Sequence, residues 1–107
     1  MLYDYIDECD RVYPNTIDYE TKKKWLDRLE GMLCEQLANR HPSSPVADEP
    51  YDDIYVEYLK MKCAEAMGDI DRFNNYLSLF NDSRNALFGY YLRNTKSSET
   101  VRWKNVL

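Results

Sequence analysis

The sequence predicts an all-α protein, a small bundle of about four helices. Apolar residues recur at three- and four-residue steps through most of the chain, and no segment shows the strict apolar–polar alternation of a strand. Only three glycines and four prolines interrupt the 107 residues. Because 44% of the residues are hydrophobic and 31% are charged, the composition is that of one globular domain with long regular elements.

The first two helices are separated by a turn that contains a proline. An apolar face between Leu2 and Tyr13 predicts the first helix. Pro14 ends this helix, because the residue before a proline avoids the α conformation. The second helix follows over residues 19–39, and Asp18 is its candidate N-cap.

Two features of the second helix lead to further expectations. Gly31 lies in its middle, where glycine is unfavourable, and this predicts close packing against a neighbouring element. The lysine run at residues 22–24 stands alone in an acidic chain. We expect these lysines to be exposed rather than to form a nucleic-acid patch, and Glu30 to lie off the apolar stripe.

The second half of the chain begins with a long loop. Residues 40–50 hold three of the four prolines, and such a length is unusual for a helix–helix connection. The third helix should start near Pro50 and end at Gly68, a typical C-terminal stop. Asp69 can cap the fourth and longest helix, over residues 70–94.

We therefore expect a helical bundle domain over residues 1–95 and an extended C-terminal tail over residues 96–107. The tail starts with a polar linker and ends with apolar and basic residues. Because a tryptophan in a free tail would stay in water, we expect Trp103 to anchor in a groove of a partner or of a neighbouring subunit. The alternative is that Trp103 folds back onto its own bundle.

Charge and cysteine content exclude several classes of protein. A net charge of −5 argues against nucleic-acid binding as the main activity, which needs clustered Lys and Arg. Cys9, Cys34 and Cys63 lack metal-ligand spacing and are expected to be reduced and to pack as small hydrophobes. The acidic N-terminus does not resemble a signal peptide, and no apolar run approaches the ~18 residues of a membrane span. We expect the protein to be made in the cytoplasm and not to associate with a membrane.

The sequence contains no pattern typical of an active site or a metal site. His41 is the single histidine and lies in the predicted loop. The side chains of Asp52 and Asp53 would point ~100° apart on a helix, so the two carboxylates could not easily bind one ion. Near the start of a helix they would instead interact favourably with the positive end of its dipole. Glycine-rich phosphate loops and nucleophile motifs are missing. We therefore expect no enzyme activity, no cofactor and no bound metal.

The residues point instead to protein–protein contact. Residues 1–20 hold six acidic residues and one basic residue, whereas residues 90–107 hold four basic and one acidic. Such a molecule can attract a copy of itself head to tail. Ten tyrosines exceed the need of a small core, and the surplus indicates either an interface or tyrosines that cover the edge of the core. The acids of the first helix form either a solvated face or a patch for a positive partner. The candidate interface residues are Asp4, Asp7, Glu8, Tyr90, Arg93, Arg102, Trp103, Lys104, Val106 and Leu107.

Four segments in a fixed order carry a family resemblance. They are Trp25-Leu26-x-x-Leu29-Glu30-Gly31, Pro50-Tyr51-Asp52-Asp53-x-Tyr55-x-x-Tyr58-Leu59, Asn74-Asn75-x-x-x-x-Phe80-Asn81 and Tyr90-Tyr91-x-Arg93. Together they resemble small proteins from prophage morphogenesis clusters of Gram-positive bacteria, which are assigned to the head–tail connector (adaptor, head-completion) group of long-tailed phages. The resemblance spans about residues 10–95.

The resemblance implies a structural virion protein without catalytic residues. Its helical protomers would form a homo-oligomeric ring at the head–tail junction, bind the portal protein and a head-completion or tail protein, and let DNA pass without specific binding. Before incorporation into the virion the protein would reside in the bacterial host cytoplasm. The alternative function is a non-catalytic cytoplasmic helical adaptor or regulator that binds another phage or host protein. Self-association distinguishes the two functions, because a connector would form a ring whereas a cytoplasmic adaptor or regulator would stay a monomer or dimer.

Overall fold

A computed structural model describes residues 2–37 and 45–94 of the chain. Within these ranges the protein forms four α-helices and no strand, which confirms the all-α prediction. The helices are α1 (Asp4–Val12), α2 (Tyr19–Gln36), α3 (Asp53–Met67) and α4 (Ile70–Asn94). His41, the proline-rich part of the loop before residue 45 and the predicted tail at residues 96–107 lie outside the described residues.

Local signals account for the ends of the helices. The carboxylate of Asp18 accepts a hydrogen bond from the amide of Thr21 (3.2 Å) and so caps α2 as predicted. Gly68 ends α3 with φ +74°, a left-handed conformation that favours glycine. Asp69 then accepts a hydrogen bond from the Arg72 amide (3.3 Å) at the start of α4. Capping residues of this kind act over a few residues only, which is why the sequence alone reveals them.

Two predicted boundaries differ from the structure. The third helix begins at Asp53 rather than near Pro50, which lies in a turn closed by the hydrogen bond from the Tyr51 amide to the Asp48 carbonyl (2.6 Å). The second helix ends at Gln36, earlier than predicted. Each boundary differs from the prediction by three residues, because the ends of a helix are the part that a sequence pattern determines least.

The third helix is the centre of the fold, since it packs against each of the other three. It is buried on more than one side, as expected of a helix that is apolar nearly all round. Its buried residues are Ile54, Tyr55, Val56, Leu59, Met61, Cys63 and Ala64. The longer α4 packs mainly against α3, and among its described side chains only Phe80 and Leu87 are buried. The core therefore lies on both sides of α3.

Three expectations about α2 are wrong. Lys22 is only 3% exposed and pairs with Asp10 of α1, their Nζ and Oδ1 atoms lying 2.5 Å apart. Glu30 is also buried, at 8% exposure. Gly31 is exposed, and a Cβ atom there would meet nothing within 4 Å, so no close packing explains this glycine. Both charged side chains are buried because partners distant in sequence bind them.

Candidate interaction surface

A shallow groove with a volume of about 220 Å³ runs between α1 and α3. Its lining combines carboxylates, aliphatic side chains and one lysine. The lining residues are Glu8, Val12, Asp53, Val56, Glu57 and Lys60. Val12 is 57% exposed and supplies apolar surface beside the carboxylates. The groove thus offers negative charge beside apolar surface, which suits a segment that is both basic and apolar.

The lysine of the groove is engaged within the protein. Its Nζ atom lies 2.8 Å from Oε1 of Glu57, one turn earlier on α3. The same ammonium lies 4.8 Å from the ring centroid of Tyr76 on α4, a cation–π contact. Lys60 therefore neutralises Glu57 in part, and Glu8 and Asp53 supply the remaining negative charge of the groove.

The acidic residues predicted on α1 occupy two positions relative to this groove. Glu8 lines it, whereas Asp4 and Asp7 are exposed on the same helix. The structure adds Asp53 and Glu57 to the candidate site, which the sequence analysis did not include. The sequence does hold a weak signal for them, since residues four apart share one face of a helix.

Tyr5 joins the start of α1 to the start of α3. Its ring stacks on the ring of Tyr55, with centroids 4.9 Å apart, and its hydroxyl donates to Oδ2 of Asp52 (3.1 Å). Burial raises the pKa of Tyr5, and the hydrogen bond to Asp52 and the nearby carboxylates of Asp48 and Glu8 raise it further. Tyr5 therefore stays a neutral hydrogen-bond donor. Its contacts with Tyr55 and Asp52 hold the start of α1 against the start of α3, so the acids of both helices lie at one end of the molecule.

The predicted residues Tyr90 and Arg93 lie at this same end, on the last turns of α4. Arg93 Nη2 donates to the hydroxyl of Tyr51 (3.3 Å), and the Tyr51 ring packs against Tyr90 with centroids 4.8 Å apart. Because Tyr51 precedes Asp52 in the chain, this cluster adjoins the Tyr5 contact. The structure thus brings the described candidate residues to one end. The other candidates, Arg102, Trp103, Lys104, Val106 and Leu107, lie outside the described residues.

A buried polar network supports this end from within. Glu30 accepts hydrogen bonds from the Tyr55 hydroxyl (2.7 Å) and from the Val46 amide (2.9 Å). The Tyr55 oxygen in turn accepts from the Ala47 amide (2.9 Å), and the Tyr91 hydroxyl donates to the Val46 carbonyl (2.7 Å). These bonds satisfy the backbone of a non-helical segment that is buried beside α3 and α4.

The described ranges contain no group of three or more His, Cys, Asp or Glu side chains placed to hold a metal ion. Asp52 and Asp53 illustrate this, since Asp52 accepts from Tyr5 while Asp53 lines the groove. None of the helices in these ranges is long and apolar enough to cross a bilayer. The chain matches no protein-family model, no curated protein and no solved structure.

Proposed function

We propose that this protein is a head–tail connector, a non-catalytic structural protomer that forms a ring between the portal and the next head-completion or tail protein of a long-tailed phage. The observation that carries the proposal is the acidic groove between α1 and α3, beside the cluster of Tyr51, Tyr90 and Arg93. The resemblance of the four sequence segments supports the phage assignment.

The chemistry of the groove indicates what it binds. The end of residues 96–107 in a second copy places the cationic side chains of Arg102 and Lys104 on either side of the apolar Trp103. The cations would face Glu8 and Asp53, and the apolar side chains would cover the exposed Val12. A contact between the groove of one copy and the tail of the next is heterologous. Such contacts close into a ring when the rotation between copies allows it.

The charge of the protein also suits a DNA conduit. Its net charge is −5, so the surface would not retain a phosphate backbone that must pass through a ring. The proposal therefore includes no specific binding to nucleic acid. A connector would be located in the virion, at the head–tail junction, and would be assembled in the host cytoplasm.

Sedimentation velocity on the chain and on a variant that lacks residues 96–107 tests this proposal. We expect the chain to associate as its concentration rises and the shortened variant to remain a monomer, with the same helix content and melting temperature. A shortened variant that associates equally well would contradict the proposed contact. A chain that stays a monomer or dimer at every concentration would favour the adaptor function over the ring.

A further inference from the structure

A buried ion pair joins the last turn of α1 to the first turn of α2. Nζ of Lys22 lies 2.5 Å from Oδ1 of Asp10, and the lysine side chain is 3% exposed whereas the aspartate side chain is 43% exposed. Among the described residues, only Lys22 and Glu30 are both charged and buried. Glu30 holds the segment around Val46, so the burial of Lys22 needs an explanation of its own.

Asp10 joins this lysine to the turn that follows α1. Its Oδ1 atom also accepts a hydrogen bond from Nδ2 of Asn15 (3.1 Å). The Asn15 amide group donates to the Tyr13 carbonyl as well (2.8 Å), and its Oδ1 atom accepts from the Ile17 amide (3.1 Å). Lys22 therefore belongs to a chain of hydrogen bonds that fixes the end of α1 against α2.

The same part of α1 forms one wall of the acidic groove. Glu8 and Val12 line the groove from α1, and the rest of the lining comes from α3. These two residues lie two positions before and two positions after Asp10, so the three move together as parts of one helix. Within α1 only Ile6 and Cys9 are buried, which gives this short helix little apolar packing to fix its position on α3.

A buried ion pair is better suited to fixing an arrangement than to stabilising a fold. Taking two charges out of water costs about as much free energy as their attraction contributes, so replacing such a pair by apolar side chains is often neutral for stability. Loss of the lysine would leave no buried charge here, because the half-exposed Asp10 can turn to solvent. While Lys22 is present, its ammonium disfavours every placement of α1 that takes Asp10 away from it.

We propose that Lys22 is a positioning residue for the groove, which acts through Asp10 to set where α1 lies on α3. Lys22 itself does not line the groove, so it would not touch a segment bound there. The inference rests on the proposed function for what the groove binds, the tail of a second copy. The placement of α1 by the ion pair does not depend on that function.

The test compares whole chains that carry Lys22→Met or Lys24→Met. Lys24 is exposed on the same helix, so the control has the same net charge as the variant but keeps the ion pair. In Lys22→Met we expect the amides of α1 to exchange with deuterium at least ~10-fold faster than in the control, while the amides of α3 keep their rates. The melting temperature should differ by less than ~3 °C. In sedimentation velocity, association should require a roughly 5-fold higher protein concentration.

A second variant keeps the test decisive if Lys22→Met does not fold. Asp10→Asn combined with Lys22→Met removes both charges of the pair and should give the same fast exchange of α1. The proposal is overturned if α1 exchanges as slowly as in the Lys24→Met control. It is also overturned if all four helices exchange faster together and the melting temperature falls, because the pair would then only stabilise the fold. A parent chain that does not associate would contradict the connector function, and the exchange of α1 would still decide the role of Lys22.

Discussion

Carboxylates serve two different purposes in two regions of this molecule. Glu30 on α2 is 8% exposed and accepts hydrogen bonds from the Tyr55 hydroxyl and the Val46 amide. Glu8 and Asp53, in the groove between α1 and α3, lie where a binding partner can reach them. A buried carboxylate contributes to stability through its partners, whereas an exposed one contributes little to stability and is available for binding.

This comparison separates two kinds of variant. Removing the buried acid leaves donors without an acceptor in the core, so we expect a loss of stability without a direct effect on the groove. Removing the groove acids costs at most the interaction of Asp53 with the α3 dipole, about 0.5 kcal/mol, so we expect a loss of binding with little loss of stability. Variants of the buried carboxylate should therefore lower mainly stability, and variants of the groove carboxylates should lower mainly binding.

The largest effect on stability is expected for Glu30→Ala. The substitution removes the acceptor of two buried hydrogen bonds, and we expect it to lower the free energy of unfolding by about 3 kcal/mol. Urea denaturation measures this change. Glu35→Ala on the same helix is the matched control, because Glu35 is exposed and its removal should change stability by less than ~0.5 kcal/mol. Equal effects of the two substitutions would mean that the buried network does not stabilise the fold.

A smaller effect is expected for Tyr55→Phe. The hydroxyl donates to Glu30 and accepts from the Ala47 amide (2.9 Å), while the ring still packs against Tyr5. We expect a loss of about 1–2 kcal/mol, since packing is kept and two hydrogen bonds are lost. Tyr58→Phe is the control on the same helix, where the ring packs against Phe80. A Tyr55→Phe protein as stable as the parent in urea would contradict the assigned role of the hydroxyl.

Alkaline pH should destabilise the end of the molecule that holds Tyr5, Tyr55 and Tyr91, because these tyrosines would ionise. Burial raises the pKa values of Tyr5, Tyr55 and Tyr91 in the folded state, so these residues hold their protons longer there than in the unfolded chain. Their contribution to stability is complete below the unfolded pKa of about 10 and is lost as pH rises above it.

Absorbance at the tyrosinate band, followed together with circular dichroism, measures this behaviour. We expect a group of tyrosines that ionises only as the helices unfold, and a single titration near pH 10 for all tyrosines in urea. If every tyrosine ionised near pH 10 while the helices remained folded, the burial of the phenols at this end would be contradicted.

The four helices could be predicted from the sequence because helical periodicity and caps such as Asp18 and Gly68 act locally. The burial of Lys22 and Glu30 could not, because it depends on partners elsewhere in the chain. Lys22 is held by Asp10 of α1, and Glu30 by residues far along the sequence. A pattern of charged residues on a helix does not reveal which of them find such partners.

The candidate site was predictable to a similar degree. Glu8 was identified from the acidic cluster of α1, and Tyr90 and Arg93 from the last helix. Asp53 and Glu57 were missed, because only the packing of α1 against α3 brings them to the groove. The aromatic contact of Tyr51 with Tyr90 likewise joins two segments that are distant in sequence. Sequence reasoning therefore found the helix faces but not how they combine.

Binding of the tail peptide to the groove tests the central claim most directly. A fluorescently labelled peptide of residues 96–107 is titrated with the variant that lacks these residues, and its anisotropy gives the dissociation constant. We predict binding that weakens as salt increases, and a loss of at least ~10-fold in affinity on Glu8→Gln combined with Asp53→Asn. The control combines Glu20→Gln with Glu35→Gln, two exposed acids of α2 that change the net charge equally. Equal affinity of the groove variant and the control, or no binding by the parent, would contradict the account.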